Sequence, residues 1–110
     1  MRLAICNETF GEMPLEQAVE MAASLGYTGW EVAPFMLGRD AAAITAPQRR
    51  EYRRVVKQAG LEVIGLHWLL AKTEGYHLTS RDAATRSRTA AYFEELIVCA
   101  PTFAKIHPTR

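Results

Sequence analysis

Three short apolar segments of this chain each end in polar residues, and a helical pattern follows each one. The segments cover residues 3–8, 30–33 and 61–67, and their polar ends are Asn7 with Glu8, Glu31, and His67. Apolar runs of this length suit parallel strands that are covered on both faces. A strand and a helix repeated in this way are typical of a parallel α/β fold.

The segments between the strands predict three helices. The first begins near Pro14 and ends at Gly26. The second begins at Thr45, which has the spacing of a capping box with Gln48, and ends at Gly60. These glycines occupy equivalent places in two successive units, just past the end of a helix.

The third helix follows a longer loop, and we expect Thr79 or Ser80 to cap it, with Asp82 near its positive end. Its apolar residues recur at helical spacing and predict one buried stripe. The stripe consists of Tyr92, Phe93, Leu96, Ile97 and Ala100.

These elements predict an α/β fold made of the N-terminal three βα units of a TIM (β/α)8 barrel, with parallel strands inside and helices outside. A closed barrel has eight such units, so we expect residues 1–100 to be a partial barrel. Residues 101–110 contain two prolines and no glycine stop. We expect them to be an irregular tail foreign to the fold, of the kind that a truncation or a frameshift leaves.

The composition excludes several classes of protein. Hydrophobic residues make up 49% and charged residues 23% of the chain, which is ordinary for a globular domain. A net charge of +1 argues against a general binder of polyanions. No apolar run approaches the roughly 20 residues that span a bilayer. We expect a cytoplasmic protein in which Cys6 and Cys99 are small buried hydrophobes.

Polar residues at the carboxyl ends of parallel strands converge on one face of the sheet. Asn7, Glu8, Glu31 and His67 occupy that position, so we predict that they are the candidate residues of a site there. A histidine in this place can ligate a metal, transfer a proton or donate a hydrogen bond to a sugar hydroxyl. Structural roles remain open: His67 as a hydrogen-bonded residue, Glu31 in a pair with an arginine, and Glu8 as the start of a loop.

Two further groups of polar residues have weaker functional interpretations. Glu74 and His77, in the loop after the third strand, are predicted at the edge of the site. The second helix carries a basic face, for which a solvated outer surface is favoured over a nucleic-acid contact, since no aromatic residues are interleaved for stacking. This face consists of Arg49, Arg50, Arg53, Arg54 and Lys57.

Three stretches, residues 22–32, 60–68 and 75–80, resemble the xylose-isomerase-like TIM barrels, the sugar phosphate isomerase/epimerase group. The resemblance implies an enzyme that uses a divalent metal (Mn, Mg, Co or Zn) to move a proton or hydride between neighbouring carbons of a sugar or polyol. It places the metal ligands and the acid/base glutamates on later strands, which this chain lacks. By motif position the resemblance implies a substrate-side or auxiliary role only for Glu31 and His67, and more loosely for Asn7 and Glu8; it implies that these four residues bind the substrate.

The first hypothesis is therefore an enzyme fragment that is inactive alone. A second is a small α/β module that binds a partner or associates with itself through exposed strand edges. A third is a fragment of an endonuclease IV-like DNA repair barrel, which His67 and the basic helix suggest. The further histidines of a multi-zinc site are missing from the sequence, so this third reading ranks last.

Overall fold

The computed structural model describes residues 1–38 and 43–104, and its centre is a parallel sheet of three strands. Strand β1 is Ala4–Cys6, β2 is Gly29–Val32 and β3 is Glu62–Leu66, in the order β1-β2-β3. Both neighbouring pairs are parallel. The predicted strands and their parallel arrangement are confirmed.

Three helices pack on one face of this sheet. They are α1, Leu15–Ser24, α2, Ala46–Gln58, and α3, Ala83–Phe103. Short 3-10 turns, Asn7–Phe10 and Pro34–Met36, follow β1 and β2. On the other face of the sheet Ile64 is 54% exposed. This one-sided cover is what three consecutive units of a barrel leave, because the remaining strands would enclose the open face.

The capping box predicted for α2 is present. The Gln48 backbone N–H donates to Thr45 Oγ1 at 3.3 Å, and the Thr45 N–H donates to Gln48 Oε1 at 2.8 Å. The predicted cap of α3 is wrong. Asp82, not Thr79 or Ser80, accepts the N–H groups of Ala84 and Thr85, while the Ser80 hydroxyl accepts the N–H of Asp82 itself.

The Asp82 cap depends on pH. Hydrogen bonds from the Thr85 hydroxyl and from the Thr85 and Ala84 backbone lower the pKa of Asp82. Because the pKa of Asp82 is lower in the folded state than in the unfolded chain, the cap stabilises the fold fully at pH values above the ordinary aspartate pKa. The contribution is lost as the pH falls through the lowered pKa.

The end of α3 differs from the expectation of an irregular tail beginning at residue 101. The helix continues through Pro101 to Phe103, whose side chain is 1% exposed and meets the Tyr52 ring edge-on at 5.9 Å between centroids. Proline inside a helix destabilises it by about 3 kcal/mol. Burial of an aromatic side chain stabilises the fold by a free energy of the same order, so the burial of Phe103 can offset the cost of Pro101. Residues 105–110 of the predicted tail lie outside the described residues.

The stripe predicted for α3 is correct for Tyr92 and Leu96, which are buried, and wrong for Ile97, which is 69% exposed. The buried side chains of this helix continue through Cys99 to Phe103, at intervals of three and four residues. Ile97 lies one position off this line and therefore faces outward with its neighbour Val98. Cys6 and Cys99 are both buried, as predicted.

Trp30 lies at the centre of the main core and is fully buried. Its indole Nε1 donates a hydrogen bond of 2.8 Å to the Tyr52 hydroxyl, and its ring stacks on Phe10 at 5.4 Å between centroids. Burial raises the pKa of Tyr52 to about 12, although hydrogen bonds with Trp30 and Asn7 oppose the rise. The phenol is therefore neutral at physiological pH, and it connects α2 to the sheet.

Gly29 allows β1 and β2 to approach closely. A Cβ atom at this position would lie 2.8 Å from the Ala4 Cβ and 3.3 Å from its Cα. We expect Gly29→Ala to lower the free energy of unfolding by about 1–3 kcal/mol, because the strands must separate. Gly65→Ala is the matched control, since nothing lies within 4 Å of its added Cβ. Urea denaturation of both variants tests this, and equal stabilities would contradict it.

No helix in the described ranges has the length and apolar character required to cross a bilayer.

Candidate functional site

The carboxyl ends of the strands form a row across the sheet. Cys6 of β1 lies opposite Glu31 of β2, and Glu31 lies opposite Gly65 of β3. The register between β2 and β3 shifts just before Glu31, because Trp30 pairs with Val63. One extra residue in β3 is a β-bulge, and such bulges often redirect side chains near functional sites.

Asn7 joins the ends of β1 and β2. Its Oδ1 accepts the Ala33 N–H at 2.8 Å, and its Nδ2 donates to the Ala33 carbonyl at 3.5 Å. Asn7 and Ala33 are both buried. The amide therefore uses both of its polar atoms to hold the strand ends in place. A direct contact between Asn7 and a substrate stays a prediction.

Glu8 and Glu31 lie near the thiol of Cys6. Burial raises the pKa of Cys6, and the negative charges of Glu8 and Glu31 add to the rise. Cys6 is therefore a neutral thiol and a poor nucleophile at physiological pH. Within residues 1–38 and 43–104 no arginine forms an ion pair with Glu31, so the carboxylate remains available at the strand end.

His67 follows β3 directly and is exposed to solvent. Its backbone N–H donates to the Val32 carbonyl at 2.8 Å, which continues the pairing of β2 and β3 by one residue. Its ring centroid lies 6.2 Å from that of Trp68. The position at the carboxyl end of β3 agrees with the sequence analysis, and the role in substrate binding stays a prediction.

His77, one of the two residues predicted at the edge of the site, has a structural role in its own loop. Its Nδ1 accepts the backbone N–H of Thr79 at 3.3 Å, and its own N–H donates to the Thr89 hydroxyl at 2.8 Å. These bonds anchor the loop to α3. Glu74 is exposed in the same loop. Neither Glu74 nor His77 lines the cavity that opens between the loops after the three strands.

A cavity of about 680 Å³ opens between the loops that follow the three strands. Its lining consists of Glu8, Gly11, Glu12, Met13, Phe35, Met36, Trp68 and Lys72. Of the four predicted site residues only Glu8 lines it. The other lining residues come from irregular loops, whose shape no periodicity in the sequence reveals. Trp68, an aromatic residue directly after the predicted site residue His67, is the sequence feature that could have indicated this lining.

Trp68, Phe35 and Lys72 form one wall of this cavity. The Trp68 ring meets the Phe35 ring edge-on at 5.8 Å between centroids, and Lys72 Nζ lies 4.9 Å from the Phe35 centroid. Trp68 and Lys72 both have a φ of 56°. This left-handed conformation is uncommon for residues with a Cβ atom and, for a bulky residue, is a true outlier. Such outliers concentrate at functional sites.

The described residues do not form a metal site. In the ranges that the structure covers, no three His, Cys, Asp or Glu side chains come together in a way that could hold a metal ion. Catalytic divalent cations need several oxygen or nitrogen ligands on one ion. Residues 1–38 and 43–104 therefore do not fit the metal that the family resemblance implies.

Comparison with known proteins gives one structural likeness. No family model matches the chain, and no curated protein matches it. A crystal structure of D-psicose 3-epimerase, determined in the presence of D-fructose, superposes with a TM-score of 0.66 at 20% sequence identity. The match covers 90% of this chain and 33% of that chain. The described residues thus share the fold of about a third of that chain, a parallel sheet of three consecutive strands with helices, of the kind that builds a TIM barrel.

Proposed function

We propose that this chain forms the substrate-side rim of a sugar isomerase or epimerase barrel. The observation that carries the proposal is the 680 Å³ cavity between the three strand-following loops. In TIM barrels the active site is built from these loops at the carboxyl ends of the strands. The likeness to a sugar epimerase supports a sugar-like substrate at that end.

The cavity suits a polyhydroxylated molecule. Ionised carboxylates accept hydrogen bonds from hydroxyl groups, and Glu8 and Glu12 provide two of them at its rim. Trp68 and Phe35 provide apolar surface for the carbon chain. We assign Glu31 and His67 to the same substrate side, because Glu31 is the second-last residue of β2 and His67 directly follows β3. A reducing, cytoplasmic location belongs to this proposal, supported by the two buried cysteine thiols.

The proposal predicts that the pure chain does not turn over a ketose. Isomerisation by this type of barrel requires a metal ligand set and a base near the reacting carbon, and the described residues lack that ligand set. We expect no conversion of D-fructose above the protein-free background with added Mg²⁺, Mn²⁺ or Co²⁺. Product analysis by chromatography is the measurement. Turnover that copurifies with the chain would show that it is a complete catalyst and would refute the rim assignment.

A second candidate function, self-association, is favoured by the apolar surface outside the core. Ile64 on the open sheet face is 54% exposed, and Ile97 and Val98 on α3 are 69% and 73% exposed. Strands β1 and β3 are both edges of the sheet. Light scattering coupled to size-exclusion chromatography tests this. Association that Ile97→Asp weakens would support it, and a monomer at all concentrations would exclude it.

A further inference from the structure

Resting on the proposed function, we propose that Trp68 is the platform on which an uncharged polyhydroxylated ligand stacks. The cavity then selects neutral sugars or polyols over phosphorylated ones. The wall formed by Trp68, Phe35 and Lys72 and the charges around the cavity support this assignment.

Trp68 is presented to solvent by a strained backbone. Its side chain is 56% exposed, although its φ of 56° is a conformation that glycine or asparagine adopts more easily. The conformation is held from both sides. The N–H of the preceding residue, His67, donates to Val32, and the Trp68 carbonyl accepts the Ala71 N–H at 3.1 Å in a turn. Burial of the indole does not explain this arrangement, because more than half of the side chain remains exposed.

The neighbours of Trp68 hold its ring at the cavity wall. Phe35 contacts it edge-on, which is a favourable geometry for two aromatic rings. Lys72 places its ammonium over the Phe35 face, where a cation–π contact fixes the position of that ring. Lys72 is therefore a positioning residue for the wall. The exposed part of the indole offers a flat apolar surface, which suits the C–H groups of a sugar.

The charges around the cavity disfavour an anionic ligand. Glu8 and Glu12 contribute two carboxylates to the lining and Lys72 one ammonium, so the lining is net negative. Glu31, which lies opposite Cys6 near the carboxyl end of β2, adds a further negative charge at this end of the sheet. These negative charges would repel a phosphate group, and such repulsion lets the cavity discriminate against phosphorylated sugars. Hydroxyl groups, in contrast, donate hydrogen bonds to carboxylates.

The test uses the 110-residue chain with D-fructose and D-fructose 6-phosphate as probes. Acrylamide quenching of tryptophan fluorescence reports on Trp68 in the unaltered protein, because Trp30, the second of two tryptophans, is fully buried. We expect D-fructose to shield the indole from acrylamide. Dissociation constants from ligand-detected NMR are expected to rise about tenfold in Trp68→Ala and by less in Trp68→Phe, which keeps a ring.

Leu78→Ala is the matched control, since Leu78 lies in the same loop, is 59% exposed and is outside the cavity lining. We expect this variant to bind D-fructose like the unaltered chain, and D-fructose 6-phosphate to bind at least about tenfold more weakly than D-fructose. D-fructose binding that neither shields Trp68 nor responds to Trp68→Ala would overturn the platform and leave the proposed function intact. Tighter binding of the phosphate would overturn the selectivity. Absence of any D-fructose binding would overturn both proposals.

Discussion

Replacing Trp30 by alanine is expected to lower the free energy of unfolding by about 3–5 kcal/mol. Trp30 is the largest fully buried side chain, it stacks on Phe10, and it donates the hydrogen bond to Tyr52. The substitution opens a cavity between the sheet and α2 and removes these contacts together. A domain of this size is typically stable by about 5–15 kcal/mol, so the loss is a large part of the total.

Two variants separate the causes of this loss. Tyr52→Phe keeps the packing but leaves the buried indole N–H of Trp30 without its acceptor, and we expect a loss of about 1–3 kcal/mol. Trp68→Ala removes an indole that is 56% exposed and should cost less than about 1 kcal/mol. Urea denaturation followed by circular dichroism measures all three. A small effect of Trp30→Ala would show that this residue does not form the centre of the core.

Phe103→Ala is the second substitution with a large expected effect, a loss of about 3–5 kcal/mol. Phe103 is 1% exposed, belongs to the same core as Trp30, and meets the Tyr52 ring edge-on. The last turn of α3 is thereby attached to α2 and to the sheet. A large loss would establish that the fold extends beyond residue 100, into a segment whose sequence suggested an irregular tail.

Ile97→Ala is the matched control on the same helix. It also removes a large apolar side chain from α3, but Ile97 is 69% exposed, so we expect a change within about 0.5 kcal/mol. Thermal unfolding of the pair gives the comparison directly. Similar losses of stability in both variants would mean that Phe103 is not buried against Tyr52.

The fold was predictable because its signals are local. Strand-length apolar runs, the glycines after the first two helices and the capping box of Thr45 and Gln48 each act over a few residues, and the structure contains all of them. The end of α3 was not predictable in this way. The local preference of Pro101 to break a helix is outweighed by the burial of Phe103 against Tyr52, which lies 51 positions earlier in the chain by their residue numbers.

The candidate site was predictable in its location but only partly in its residues. Parallel strands bring their carboxyl ends to one side, and Glu8, Glu31 and His67 lie at that end of the sheet as predicted, while their role in binding stays a prediction. The cavity wall depends on loop conformation instead. Trp68 and Lys72 adopt a positive φ that their residue types do not favour, so the sequence carries no sign of it. The sequence did not reveal that the Asn7 amide is bonded to the Ala33 backbone, and a contact of Asn7 with substrate stays a prediction.

The most direct test of the rim assignment is a titration of the ¹⁵N-labelled chain with D-fructose, followed by ¹H–¹⁵N correlation NMR. Among the described residues, cavities at the two ends of the sheet are alternative places for a ligand. One is the cavity at the carboxyl ends of the strands, and the other is a cavity of about 570 Å³ at their amino ends. The second cavity is lined in part by Arg2, Gly29, Arg53 and Gly60.

The rim assignment predicts saturable shifts of the amides of Glu8, Phe35, Trp68 and Lys72 at millimolar D-fructose, with the amino-end amides unchanged. Saturable shifts confined to Arg2, Gly29, Arg53 and Gly60, or no saturable shift at all, would contradict it.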